Sequence, residues 1–406
     1  MQIKRLFFPA LLGFVSGIPL MLTGGTLQAW GTSSGLSLMA IGALTLVGQP
    51  YAYKFLWSPL IDQYSLPFGH AHRRSWVLTM MALLMISLFF LSLSQPAHHL
   101  AWFVSCAVIT AICAATLDLA IDAFRIEFLP KEDYGIANAS YVSAYRISML
   151  ISGGLALIIA DHYGWRITYQ LMIALILISF FIFIFAPEPQ HKTLSPKKTN
   201  WHQSIVAPFK DLLQRKDIAW MLLFVVLYKF GEALGTALTT PFILKELHFS
   251  LSILGGVYKT VGLLSIIAGG FLGGFLYKRY SLYSTLLSFG FLQALGILSF
   301  AWLAHVGHNF PLMITSLSAE AFTMGMTTTV FLSLLMRICN PLYAATHFAL
   351  LSACASLARI FTGPLASALV NHYHWQNFFM ISFFSCIPGL ILLIYLKPKL
   401  NNILFA

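Results

Sequence analysis

Several ionisable side chains lie where the surrounding sequence is almost wholly apolar. The bases are Lys54, Arg146, Lys229, Lys259 and Arg359; the acids are Asp118, Glu232 and Glu320. Asp122 stands near the end of the same apolar stretch as Asp118. An embedded cation can hold a carboxylate or phosphate. An embedded carboxylate can take up and release a proton, because desolvation favours its neutral form. Asp118 and Asp122 are four residues apart and share a helix face. Glu232 follows Lys229 by three, so that pair partly neutralises itself. Two readings compete for each group: a structural salt bridge or snorkelling side chain, or a cavity-lining group that binds an anion or carries a proton. The first is favoured for Lys54 and Asp122, near a membrane face, and the second for Arg146, Lys229 and Arg359.

These charges must be positioned by long apolar helices. Only 9% of the 406 residues are charged, 58% are hydrophobic and mean hydropathy is +0.80. An ordinary soluble domain carries roughly 25% charge, and no single core of this length could hide so much apolar surface. A bilayer can, because lipid replaces water around the helix exteriors. Each charge at the centre of a span costs about 2.5–3.5 kcal/mol, so five cations represent a gross ~12–18 kcal/mol that a passive scaffold has no reason to carry. With about 20 apolar residues per span, the chain reads as spans near 7–29, 40–60, 75–94, 100–122, 137–160 and 168–186. Six more follow near 218–240, 250–276, 281–304, 310–336, 344–369 and 375–396. The expected domains are a six-helix bundle over 1–186, a linker over 187–217 and a second six-helix bundle over 218–406. Within the linker, Ile205, Phe209, Leu212 and Leu213 recur at helical spacing and predict an amphipathic helix on the membrane surface.

The net charge of +11 reports topology and not a nucleic-acid partner. Outside the spans, only Arg166 and Lys245 fall in loops of one parity; every other Lys and Arg falls on the opposite side. By the positive-inside rule both termini are cytoplasmic. The expected location is the bacterial inner membrane. Five cysteines in apolar spans or at a helix end do not make a disulfide framework. The two halves also echo each other: "GGLALIIADHYGW" (153–165) aligns with "GPLASALVNHYHW" (363–375) at an offset of 210. Two such repeats joined by a cytoplasmic linker are the pattern of the major facilitator fold, with a substrate site between the halves. Gly13, Gly17, Pro19, Gly24 and Gly25 mark places in the first span where helices bend or pack closely. Trp30, Tyr51, Tyr141, Tyr145 and Tyr228 are candidates to stack on sugar rings, although core packing or interfacial anchoring is the commoner role.

The motifs "GIPLMLTGGTLQAW", "LVGQPYAYKFLWSPLIDQY", "DAFRIEFLP", "YRISMLISGGLALIIAD", "APEPQ", "VLYKFGEALGTALTT" and "FALLSACASLARIFTGP" resemble those of the AmpG-type muropeptide permeases of the major facilitator superfamily. The resemblance runs from about Leu12 to Leu396. It implies import of anhydromuropeptides from periplasm to cytoplasm by proton symport. It carries over polar positions at Lys54, Asp62, Asp118, Asp122, Arg146, Lys229, Lys259, Glu320 and Arg359, with Glu232 at a position where an acid is expected. The expected substrate contacts are Lys54, Arg146, Lys229, Lys259, Arg359, Tyr51, Tyr145 and Gln28. Asp118, Asp122, Glu232 and Glu320 are the expected proton carriers, and Asp62, Arg73 and Arg74 the expected gate. The partners are an anionic sugar-peptide, protons and the lipid bilayer, with the chain acting as a monomer and needing no cofactor or metal.

This sequence departs from the family pattern in three places. Leu117 replaces an amide that could line the cavity, Gln63 follows Asp62 in place of Arg, and "GHAHRR" stands where a denser Arg run is usual. The main alternative is transport of another bulky organic anion, such as a coenzyme A thioester, a siderophore or a glycoconjugate. A sensor that binds without transporting is a further one. A membrane enzyme is disfavoured: there is no HExxH pair, GxSxG elbow or glycine-rich phosphate loop in a suitable context. His70 and His72 read as solvated and not as metal ligands.

Overall fold

The computed structural model describes residues 2–36, 40, 43–64, 66, 72–188, 201–249 and 259–405, with some helical side chains among these left out. Among the described residues every regular element is helical. Nine runs among the described residues are long and apolar enough to cross a membrane, and many large apolar side chains, such as Phe89, Ile109, Phe181, Phe384 and Ile391, face outward. An apolar exterior of this kind is stable only with lipid as its solvent. The chain is a multi-pass membrane protein.

The first half runs α1 (Gln2–Leu22), α2 (Gly25–Ser33), α3 (Gln49–Tyr53), α4 (Ser58–Gln63), α5 (His72–Ser92), α6 (Leu100–Phe128), α7 (Tyr134–Leu150) and α8 (Ala156–Ile184). Then come α9 (Trp201–Leu213), α10 (Ile218–Thr236), α11 (Lys259–Arg279), α12 (Leu282–Val306), α13 (Phe310–Ile338) and α14 (Ala344–Phe405). The stretch expected as one span over 40–60 is instead a chain of short turns. A 3-10 turn over Leu44–Gly48, α3, a second 3-10 turn over Lys54–Leu56 and α4 succeed one another. Pro50 and Pro59 cause this: each sits in the first turn of its helix, where its missing N–H does least harm, and each starts a new helix. The first span is likewise broken at Thr23–Gly24. Gly13 and Gly17 let α1 approach α7 closely; a Cβ at either would overlap the carbonyl of Tyr141 or Tyr145.

The chain forms two compact units. One comprises residues 1–130, 140–208 and 339–349; the other comprises 131–139, 209–338 and 350–406. Each unit thus includes a short segment from the far end of a helix whose body belongs elsewhere. The repeat at offset 210 is written in the backbone as well as in the sequence. Helices α6 and α13 both have 29 residues, the 3-10 turns Lys131–Asp133 and Pro341–Tyr343 follow them, and the backbone reverses at Gly164 and His374. Gly164 has φ 81 and ψ 163; His374 has φ 60 and ψ 171. Only glycine enters that region without strain. The linker helix is present as α9, with Leu212 buried and Leu213 exposed; the side chain of Ile205 lies outside the described residues.

Candidate functional site

In the first unit, the broken second span delivers Lys54 on a 3-10 turn to the face of α6. Its Nζ lies 3.6 Å from Asp118 and 3.9 Å from Asp122. Asp122 also receives Arg125 at 3.2 Å, and the Arg125 guanidinium sits 3.6 Å above the Tyr141 ring. Ser16 from α1 donates to Asp118 and accepts from the Tyr141 hydroxyl at 3.1 Å. Two cations and two carboxylates therefore form a near-neutral cluster sealed by hydroxyls, which is how a charged group survives at membrane depth. Tyr51 lies within electrostatic reach of Asp118 and Tyr145, and Tyr145 stacks on Tyr141 with centroids 6.2 Å apart. Arg125, counted in the sequence among the cytoplasmic loop cations, is instead buried inside α6 at 1% exposure. Its burial is tolerated because Asp122 and the Tyr141 face replace water. Gln28, on α2, is half-buried, and no described contact joins it to this cluster.

A second cluster lies at the start of α5. Arg73, also 1% exposed, donates to Glu127 at 2.7 Å, to Asp62 at 3.1 Å and to the Ile61 carbonyl at 2.9 Å. Asp62 in turn accepts the backbone N–H groups of Ala345 at 3.0 Å and Thr346 at 2.8 Å, together with the Thr346 hydroxyl at 2.7 Å. Those amides open α14, so a carboxylate remote in sequence caps this helix and meets the positive end of its dipole. Glu188 does the same for α5, accepting the N–H groups of Arg73 and Arg74 at 2.9 and 3.2 Å. Arg74 points back to the Ala186 carbonyl at 2.9 Å. Asp62, Arg73 and Arg74 are thus brought together. Glu127, Glu188 and Thr346, which the sequence reading did not single out, complete the cluster. The first two sit in the quoted motifs "DAFRIEFLP" and "APEPQ", a signal available before the structure.

In the second unit, Lys229 on α10 binds Glu232 at 2.7 Å and Thr328 at 3.3 Å, with its Nζ 5.2 Å from the Phe331 ring centroid. Tyr228 stacks on Phe331 and donates to the Leu286 carbonyl. Glu320 is buried on α13, its backbone against Gly296 of α12. It lies eight residues from Thr328, about 12 Å along the axis. Lys54 and Lys229 are therefore paired with acids in this state. Arg146 is half-buried on α7 and, among the described residues, has no ion-pair partner. Lys259 and Arg359 fall on α11 and α14, but their side chains lie outside the described residues. Leu117 is fully buried within α6, so its side chain lines no open surface here.

Residues 9–348 match the Major Facilitator Superfamily, which covers most of the chain. The chain belongs to this superfamily. A relative called anhydromuropeptide permease, from Escherichia coli strain K12, is 40% identical over 392 residues, 96% of this chain and 79% of that protein. A putative transporter AmpG 4 from Rickettsia conorii is 33% identical over 407 residues, 98% of this chain and 97% of its own length. Within the superfamily the chain falls with the AmpG-type permeases. Solved structures agree on the major facilitator fold alone. The E. coli fucose:proton symporter FucP in its outward conformation aligns with a TM-score of 0.74 at 12% identity, over 96% of this chain and 98% of that one. The proton:xylose symporter XylE gives 0.71 at 15% identity, over 97% and 95%. This superfamily is one of transporters, and the AmpG-type relatives are permeases and not enzymes. A facilitator of this kind takes a small-molecule substrate.

Proposed function

We propose that this chain imports anhydromuropeptides, the sugar-peptide fragments of wall turnover, from periplasm to cytoplasm by proton symport. It works as a monomer in the bacterial inner membrane, with twelve spans and both termini cytoplasmic. The similarity to an anhydromuropeptide permease over 96% of the chain carries this reading. Arg146 supplies a matching chemistry: a half-buried guanidinium with no described acid partner suits a ligand carboxylate. Lys259 and Arg359 are further candidate substrate contacts in this proposal.

Asp118 and Asp122 share Lys54, an arrangement suited to coupling. Protonating one carboxylate leaves the cluster with a surplus positive charge, which an incoming anion can balance. Glu232 and Lys229 repeat the device in the second unit, with Glu320 as a further proton carrier. The driving force is sufficient: one charge crossing ~100 mV gives ~2.3 kcal/mol, roughly a fifty-fold accumulation. The test is uptake of labelled anhydromuropeptide into proteoliposomes with and without an inward proton gradient. Gradient-driven uptake that Arg146→Ala abolishes and Asp118→Asn uncouples from the gradient is expected. Full proton dependence in Asp118→Asn would remove Asp118 from the relay. No uptake by folded, correctly oriented protein would end the muropeptide reading.

A further inference from the structure

One cavity in the first unit lies at the end of α5 remote from Arg73, a 21-residue helix or about 30 Å away. Its volume is about 550 Å3, and Trp30, Ser34, Ser94, His98, Trp165 and Arg166 are among its lining residues. Small-molecule sites generally span ~300–1,000 Å3. The aromatic wall is fixed in place. Trp30 and Trp165 stack with centroids 5.6 Å apart and planes 11° from parallel. Phe103 and Tyr169 back Trp30 at 5.1 and 5.0 Å. The Trp165 indole N–H donates to the Ser33 hydroxyl at 2.9 Å, and the Tyr169 hydroxyl donates to the Leu22 carbonyl at 2.8 Å. Trp30 is 4% exposed, so the half-buried Trp165 is the indole presented to the cavity, and it needs no rearrangement to receive a ligand. Arg166, the next residue, is exposed and has no ion pair among the described residues.

The internal repeat separates what this cluster does for the fold from what it offers to a ligand. An offset of 210 carries Trp165 to Trp375 and Tyr169 to Phe379. In the second unit Phe242 takes the place of Trp30, 5.1 Å from Trp375 and 4.9 Å from Phe379. Phe242 and Phe379 belong to a packed apolar core, and Trp375 packs against it. Bracing the turn at Gly164 or His374 thus requires only aromatic bulk. The second indole and the guanidinium are additions of the first unit, since Gln376 stands at the position of Arg166.

We propose that this cavity binds a carboxylated pyranose, its C–H face against the indole wall and its carboxylate on Arg166. An indole offers an apolar, electron-rich face with a polar rim, and a guanidinium holds a carboxylate bidentately. Ser34, Ser94 and His98 supply hydrogen-bonding groups for ring hydroxyls. An anionic lipid headgroup shares the guanidinium requirement. It would also need a groove for acyl chains, and Leu93 is the single large aliphatic residue among those lining the cavity. The role as a first point of contact for cargo rests on the muropeptide reading; the binding itself does not.

The experiment titrates the full chain, in phosphatidylcholine nanodiscs, with N-acetylmuramic acid and with N-acetylglucosamine, which lacks the carboxylate. The acid should bind about tenfold more tightly, the scale of one charge-assisted contact. Arg166→Gln, at an exposed position, should erase that preference without lowering the melting temperature, and Trp165→Phe should weaken both sugars. Equal binding of the two sugars, or an unchanged preference in Arg166→Gln, overturns the proposal. So does loss of sugar binding when phosphatidylglycerol replaces phosphatidylcholine, which would assign the cavity to a lipid headgroup. Acid binding that needs Arg166 but comes without muropeptide uptake would leave the site standing and sink the transport reading. Uptake without such binding would do the reverse.

Discussion

Asp62 concentrates more interactions than any other acid in the two clusters of the first unit. It receives Arg73, two backbone amides and the Thr346 hydroxyl in a fully buried setting. Breaking a buried ion pair by removing one partner costs ~3–5 kcal/mol, and loss of a helix cap typically adds ~1 kcal/mol. Asp62→Ala should therefore lower the melting temperature of the purified chain markedly. Asp62→Asn, which keeps an acceptor oxygen but not the charge, should lower it less. Equal melting of Asp62→Ala and the parent would show that the cluster does not stabilise this state. Lys54, Asp118 and Asp122 of the neighbouring cluster were legible in the sequence, because a charge inside an apolar span is costly and therefore conspicuous. Asp62, Arg73 and Arg74 lie between spans and were marked by the family resemblance alone. The partners of these groups were not legible. Asp62 and Thr346 stand 284 residues apart, and Ser16, whose hydroxyl reaches Asp118, looks in sequence like any helical serine bonding its own backbone.

Among the elements, the paired reversals at Gly164 and His374 make a controlled comparison. Both occupy backbone geometry that costs a residue with a Cβ roughly 1–3 kcal/mol, yet one carries glycine and the other histidine. His374→Gly should raise stability by about 1 kcal/mol after the extra chain entropy of glycine is subtracted. Gly164→Ala should lower it by a similar or larger amount. Thermal unfolding in a single detergent checks both, and a destabilised His374→Gly would mean the imidazole makes contacts worth more than the strain. The repeat itself was readable from "GGLALIIADHYGW" and its echo. The breaks at Thr23–Gly24 and through Leu44–Gln63 were only partly readable. Proline and glycine marked where breaks are allowed, but a continuous helix over 40–60 satisfies the same hydropathy.

At the scale of the molecule, each compact unit incorporates a segment distant in the chain: residues 339–349 in the first and 131–139 in the second. Within the second unit, Asp133 meets Lys278 at 2.7 Å and Asn138 meets Ser333 at 3.1 Å. A chain ended after residue 338 should thus lose stability in its first unit, although it keeps all of residues 1–208. Limited proteolysis of the truncated chain in membranes should cut α4 and α5 faster than in the full chain. Adding residues 339–406 as a separate chain should restore protection. Undiminished protection in the truncated chain would show that 339–349 is dispensable to that unit.

The same feature sets a timetable for biosynthesis. Asp62 leaves the ribosome 284 residues before Thr346. At ~5–20 residues per second, that is roughly 15–60 s in which its carboxylate has Arg73 but no helix to cap. The first unit must therefore wait in the membrane, inserted and unfinished, until most of the second has been made. Quality control that recognises an unsatisfied carboxylate has its longest opportunity during that interval, so the order of synthesis makes the Asp62 cluster a late checkpoint on the whole chain.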